Sequence, residues 1–160
     1  MNPAPYAQYL DGRDALTSLA DVSARIADLV DGWSDAEFER SYAPGKWTAR
    51  QLLLHLVHIE TVFVDRIRFA LTTPGYVITP FDQDDWMALD PGADARAALS
   101  AYLGLRRMSL ALLRALSPEQ RARTLTHPDF GAWTVEHIIT ALAGHERSHL
   151  PQFEQIAVQP

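Results

Sequence analysis

Apolar residues recur every three or four positions along four long stretches of the chain, the spacing that gives a helix one hydrophobic stripe. The first stretch runs from about Tyr6 to Val30, with Leu16, Leu19, Ala20, Ile26, Leu29 and Val30 at apolar positions and Gly32 after it as a stop signal. Ser34-Asp35-Ala36-Glu37 has the form of a capping box and predicts a short helical turn. The second stretch begins near Thr48 and ends near Thr72, ahead of Pro74-Gly75. The third covers about Ala93 to Ala115, its buried face carried by Leu99, Leu103, Leu110, Leu113 and Leu116. The fourth starts near Thr134 and continues to about Ile156. No segment sustains strand-type alternation, so the pattern predicts an all-α fold.

Helices two and four open in parallel fashion: Gly45-Lys46-Trp47-Thr48 against Gly131-Ala132-Trp133-Thr134. In each, the threonine can cap exposed backbone N–H groups, and Trp47 with Leu52, like Trp133 with Ile138, has the spacing of a hydrophobic staple. Both tryptophans therefore read first as packing residues. The connection from Thr73 to Gly92 is long for a helix–helix link. A link of that length can cross from one end of a bundle to the other and set helices two and three parallel. The expected fold is then an up-down-down-up four-helix bundle with a long crossover between helices two and three. The plainer alternative is an acidic surface loop with a small aromatic cluster of its own.

Composition narrows the function classes. The 160 residues suit one domain spanning 1–160, with 48% hydrophobic and 21% charged residues, ordinary globular proportions. A net charge of -6 and a single lysine, Lys46, argue against a nucleic-acid partner, which needs clustered cations. There are no cysteines, which excludes disulfides, thiolate metal sites and a cysteine nucleophile. No signal peptide is visible between Met1 and Asp14. No apolar stretch is long enough to span a bilayer, so no membrane partner is expected and the default location is cytoplasmic.

The candidate chemistry lies in the six histidines, His55, His58, His127, His137, His145 and His149. At about 100° per residue, Ile138, Leu142, His145, His149, Phe153 and Ile156 fall within an arc of roughly 80°. His145 and His149 thus sit one turn apart on the inward stripe, a geometry that lets two imidazoles share a metal. His137 lies about 120° from His149 and reads as a helix-start residue. On helix two, His55 borders the stripe of Leu52, Leu56, Ile59, Phe63 and Ile67, whereas His58 points further away, towards a supporting or surface role. At about 1.5 Å per residue, His55 is about 10 Å into helix two and His149 about 12 Å from the far end of helix four. Antiparallel helices would bring those levels together. Three imidazoles would leave coordination positions open, as catalytic metal sites do. The plain alternative is three satisfied histidines beside a core.

His145-Glu146-Arg147-Ser148-His149 is literally H-E-x-x-H, the zincin signature. Eleven residues remain after His149, too few for the downstream ligand and substrate-binding elements of that class. The metalloprotease reading fails on length. Glu146 stays a candidate for a base or supporting group near the metal, its plain role being a partly exposed helix residue. Pro151 removes an N–H and crowds the Arg147 carbonyl, which predicts a bend or widened turn in a helix that continues past it, since Phe153 and Ile156 keep the inward phase.

Pro44-Gly45-Lys46-Trp47-Thr48-Ala49-Arg50-Gln51, then His55, then His145-x-x-x-His149 on the last helix resemble the DinB/YfiT-like superfamily, more closely its YfiT branch. Pro80-Phe81-Asp82 with Trp86, and His127-Pro128-Asp129, add to the likeness, which runs from about Asp14 to Ile156. The resemblance implies an up-down-down-up four-helix bundle that binds a divalent metal through His55, His145 and His149. Zinc or nickel come first and manganese or iron after them, since three imidazoles select weakly among metals. It further implies a homodimer and a small-molecule substrate, with a low-molecular-weight thiol as one option. The branch includes metal-dependent hydrolases and bacillithiol S-transferases. The expected function is therefore a metal-dependent thiol S-transferase or hydrolase; the alternative is a non-catalytic metal-binding or stress-response interaction protein on the same bundle.

Overall fold

A side-chain oxygen just ahead of the first turn starts every long helix in the computed structural model, which describes residues 3–159. Asp14 accepts the Thr17 N–H at 2.8 Å and opens α1 (Ala15–Val30). Thr48 and Gln51 bond reciprocally and open α3 (Ala49–Thr72). Asp94 accepts from Ala97 and opens α5 (Ala95–Ala115), and Thr134 accepts from His137 and opens α7 (Val135–Ala157). Such caps satisfy backbone donors that a helix leaves unpaired. Ser34 and Glu37 close the anticipated capping box at α2 (Asp35–Phe38). Two further short helices, α4 (Gln83–Leu89) and α6 (Pro118–Arg121), sit in the connections. α7 continues through Pro151.

Two features depart from the periodicity. The first helix begins at Ala15, not near Tyr6; ahead of it lie a single 3-10 turn, Ala7–Leu10, and left-handed backbone at Asp11 and Gly12. A two-stranded antiparallel hairpin, β1 (Thr124–His127) and β2 (Gly131–Thr134), precedes α7 in an otherwise helical chain. Each strand has four residues, so alternation reduces to one inward position apiece, Leu125 opposite Trp133.

The four long helices form the expected bundle. α3 packs against α5 and α7, while α1 packs against α7 and α5. Arg25, late in α1, meets Glu154, late in α7, at 3.7 Å, so those two run parallel. His55, early in α3, lies beside His149, late in α7, so those run antiparallel. The first turns of α3 and α5 border one recess through Arg50 and Arg96, which makes them parallel. The order is up-down-down-up, and the crossover between α3 and α5 contains α4 and covers part of α3. Among the described residues no helix is long and apolar enough to cross a membrane.

Apolar side chains fill both ends of the bundle, with Ile67, Leu113, Ile138 and Leu142 in one cluster and Ile26, Leu52, Leu53 and Phe153 in the other. Between them lies a buried polar knot. The Arg106 guanidinium pairs with Glu60 at 2.6 Å and with Glu146, Tyr102 donates to Glu146 at 2.8 Å, and Ser109 donates to Glu60. All five side chains are almost wholly buried. Removing one partner of a buried pair costs far more than the pair itself contributes, because a charge is stranded in low dielectric. Arg106→Met should therefore lower the free energy of unfolding by about 3–5 kcal/mol, read by urea denaturation. A loss below about 1 kcal/mol would mean that the carboxylates find other relief.

Candidate metal centre

Helix geometry brings three of the six histidines together. His145 and His149 stand one turn apart on α7, and His55 reaches them from α3 at the same level. Their Nε2 atoms lie close, His55 to His145 at 3.3 Å and His145 to His149 at 3.3 Å. One ring nitrogen from each of the three falls within 4.8 Å of the others. The other three histidines lie elsewhere. His127 packs at a tilt against Phe130 and Trp133 in the hairpin. His137 bonds to Thr134 at the start of α7, as expected of a helix-start residue. His58 is buried rather than superficial: its Nε2 lies 3.3 Å from Asp90 and its ring meets Trp86 edge-on. The crossover folds over that face of α3, which helical phase alone does not reveal.

Burial holds these imidazoles neutral. It pushes His55 down to about 2, with the neighbouring His149 and His145 adding to the shift. Burial, and then His149, takes His145 to about 3; burial also lowers His149, against a hydrogen bond to Gln152 that raises it. Neutral rings crowded Nε2 to Nε2 at 3.3 Å bring together lone pairs that one cation can share. The donor set thus fits a divalent metal. The Nδ1 of His149 donates to Gln152 Oε1 at 2.8 Å, which leaves its Nε2 as the acceptor nitrogen. Sequence reading missed Gln152; its position one turn after His149 was the available signal.

Glu146, the acidic residue of H-E-x-x-H, turns away from this cluster. Its carboxyl is engaged by Tyr102 and Arg106 in the buried knot. Burial pushes it up from the usual carboxylate range, against the pull of Arg106. It does not border the recess over the histidines, and its place is not the partly exposed one that a plain helix position would have. The carboxylate that does border that recess is Asp84 in α4.

The recess has a volume of about 340 Å³ and lies over His145 and His149. Tyr6, Tyr42 and Trp47 form aromatic walls, and Lys46, Asp84 and Gln152 add polar groups. Trp47 does more than staple the start of α3: it packs beside the cluster holding Leu52, and its ring stands 4.8 Å from that of His55. A larger recess of about 450 Å³ borders α2 and the start of α5, but among the described residues the metal-ligating cluster is that of the three histidines, which do not line it. Chemistry, not volume, marks the site.

By its fold the chain is a four-helix bundle protein, and two antiparallel helices of that bundle gather three imidazoles at one level. Residues 18–153 match the DinB superfamily, and the chain belongs to it. A protein of Oceanobacillus iheyensis, OB0782, is 29% identical over 136 residues, which are 84% of this chain and 79% of that one. YfiT of Bacillus subtilis is 28% identical over 142 residues, 87% of this chain and 80% of its own. Both are named as candidate metal-dependent hydrolases. The YfiT structure, described as a probable metal-dependent hydrolase with an unusual four-helix bundle topology, matches at a TM-score of 0.80 over 89% of this chain and 83% of that chain. A mycothiol-dependent maleylpyruvate isomerase shares the fold at a TM-score of 0.70 and 14% identity, over 87% of this chain and 59% of that one.

Single substitutions His55→Ala, His145→Ala and His149→Ala should each abolish stoichiometric zinc uptake, measured by elemental analysis and calorimetry. Gln152→Ala should keep the stoichiometry and weaken affinity on the order of tenfold, through the lost bond to His149. Full zinc occupancy in all three alanine variants would place the metal elsewhere.

Proposed function

We propose that this protein is a metal-dependent enzyme acting on a small molecule, with His55, His145 and His149 as its ligands. The observation that carries this reading is the convergence of three neutral imidazoles, two buried and one half-buried, beneath a recess open to small molecules. A divalent metal held there supplies a Lewis acid, which lowers the pKa of water towards neutrality or stabilises a thiolate. The remaining chemistry falls to the chain. Burial of the rings keeps them deprotonated at neutral pH, so that their lone pairs are free for the metal. Tyr42 and Trp47 offer apolar walls to a substrate, and Lys46 offers a cation to a carboxylate or another anionic group on it. Asp84 is the carboxylate placed to take a proton at the mouth of the recess.

With no cysteine in the chain, any thiolate nucleophile comes from outside, and the two nucleophiles proposed are water and a small thiol. Water makes the enzyme a hydrolase, the reading that the names of its relatives favour. A low-molecular-weight thiol makes it an S-transferase, the second option of the same site. The test is an activity screen on metal-loaded, tag-free protein. Simple esters and amides are set against bacillithiol, mycothiol or glutathione paired with electrophilic acceptors. Turnover with one of the two sets, lost in His149→Ala and on chelation, is the expected result. Stoichiometric metal without turnover in any arm would instead mark a metal-binding protein with no catalytic role.

A further inference from the structure

Imidazoles that bind a metal are normally held in place by a hydrogen bond from the ring nitrogen facing away from it. His149 has such a bond, to Gln152. The Nδ1 atoms of His55 and His145 are buried and, among the described residues, have no hydrogen-bond partner. Each of those two rings has an aromatic neighbour instead. Trp47 packs at a tilt against His55, and Tyr6 meets His145 edge to face, with ring centroids 5.0 Å apart and planes at 87°.

Tyr6 comes from outside the segment that matches the superfamily, which begins at residue 18. Its docking is nevertheless specific. Ala4 and Leu10 are buried on either side of it, and the turn Ala7–Leu10 packs on α7. Tyr6 takes φ 63°, a left-handed conformation that is unfavourable for a large side chain and persists where the surroundings enforce it. Gly144 makes the approach possible. A Cβ at residue 144 would stand 2.7 Å from the Tyr6 carbonyl carbon and nearer still to its oxygen. The residue immediately before His145 therefore lacks a side chain where the backbone of Tyr6 passes. Tyr6 itself remains 41% exposed, so filling the core does not account for this placement. What it covers is His145, at the edge of the recess.

We propose that Tyr6 is a positioning residue of the metal centre. The N-terminal arm, seated on Gly144, sets the Tyr6 ring against His145 and fixes the imidazole with Nε2 aimed at His55 and His149. Ring packing does for His145 what Gln152 does for His149. The proposal rests on the metal-binding reading of the three histidines, and its test separates the two. Full-length wild type, Tyr6→Ala and Tyr6→Phe are compared for zinc affinity, by competition with a chromophoric chelator, and for the visible absorption of bound cobalt(II). Tyr6→Ala should weaken zinc binding on the order of tenfold and change the cobalt spectrum, because the ligand's orientation is loosened. Tyr6→Phe keeps the ring and should restore both. Wild type that takes up neither metal overturns the metal reading and this proposal with it. Wild type and Tyr6→Ala with equal affinity and identical cobalt spectra overturn the proposal alone. So does Tyr6→Phe behaving like Tyr6→Ala, since the hydroxyl and not the ring would then be the active part.

Discussion

A guanidinium buried at the centre of a helical bundle has to be met by carboxylates, and those carboxylates have to come from the helices packed around it. Arg106 of α5 draws in Glu60 from α3 and Glu146 from α7, and so sets the rotation of both helices about their own axes. His55 lies five residues before Glu60, and His145 lies one before Glu146. Once the carboxylates point at Arg106, the histidines are turned towards each other on an adjoining face. Placing α5 beside α3 and parallel to it also demands a connection that crosses the length of the bundle. The segment between Thr72 and Ala95 provides it, and in crossing it buries His58 and brings Asp84 to the recess.

Three consecutive residues of α7 serve three different surroundings. Gly144 admits the N-terminal arm, His145 joins the imidazole cluster, and Glu146 enters the buried knot. Successive residues on a helix differ by about 100°, so neighbours in sequence necessarily face different partners. This also explains why H-E-x-x-H misleads here. The two histidines, one turn apart, share a face as the zincin motif requires, but the glutamate between them is claimed by an arginine from another helix. The motif reports a spacing; its chemistry depends on what stands opposite each position.

The histidine cluster is kept in a state that suits a cation by burial more than by specific partners. Desolvation is the largest influence on all three rings, and mutual repulsion adds to it for His55 and His145. Among the described residues, the buried Nδ1 atoms of His55 and His145 have no hydrogen-bond partner. Each of those two rings packs against an aromatic side chain, His55 against Trp47 and His145 against Tyr6. The superfamily match spans 18–153, so it includes Trp47 and leaves out Tyr6.

Much of this was legible in the chain itself, and the limit has a physical cause. Helix starts at Thr48 and Thr134, the capping box at Ser34, the inward phase of His145 with His149 and the matching depth of His55 all depend on residues a few positions apart. Local hydrogen bonds and helical periodicity determine such features, and these are written in adjacent letters. The up-down-down-up order was inferable because the length of a connection limits where the next helix can begin. The hairpin escaped notice because a four-residue strand is too short to show alternation. The turn of Glu146 towards Arg106, the covering of His58 by the crossover and the seat of Tyr6 on Gly144 escaped for another reason. Each joins segments tens of residues apart, and no periodicity within one helix carries information about the side chain that arrives from another. Helical phase therefore came from the sequence, while the partner on each face was decided only when the bundle closed.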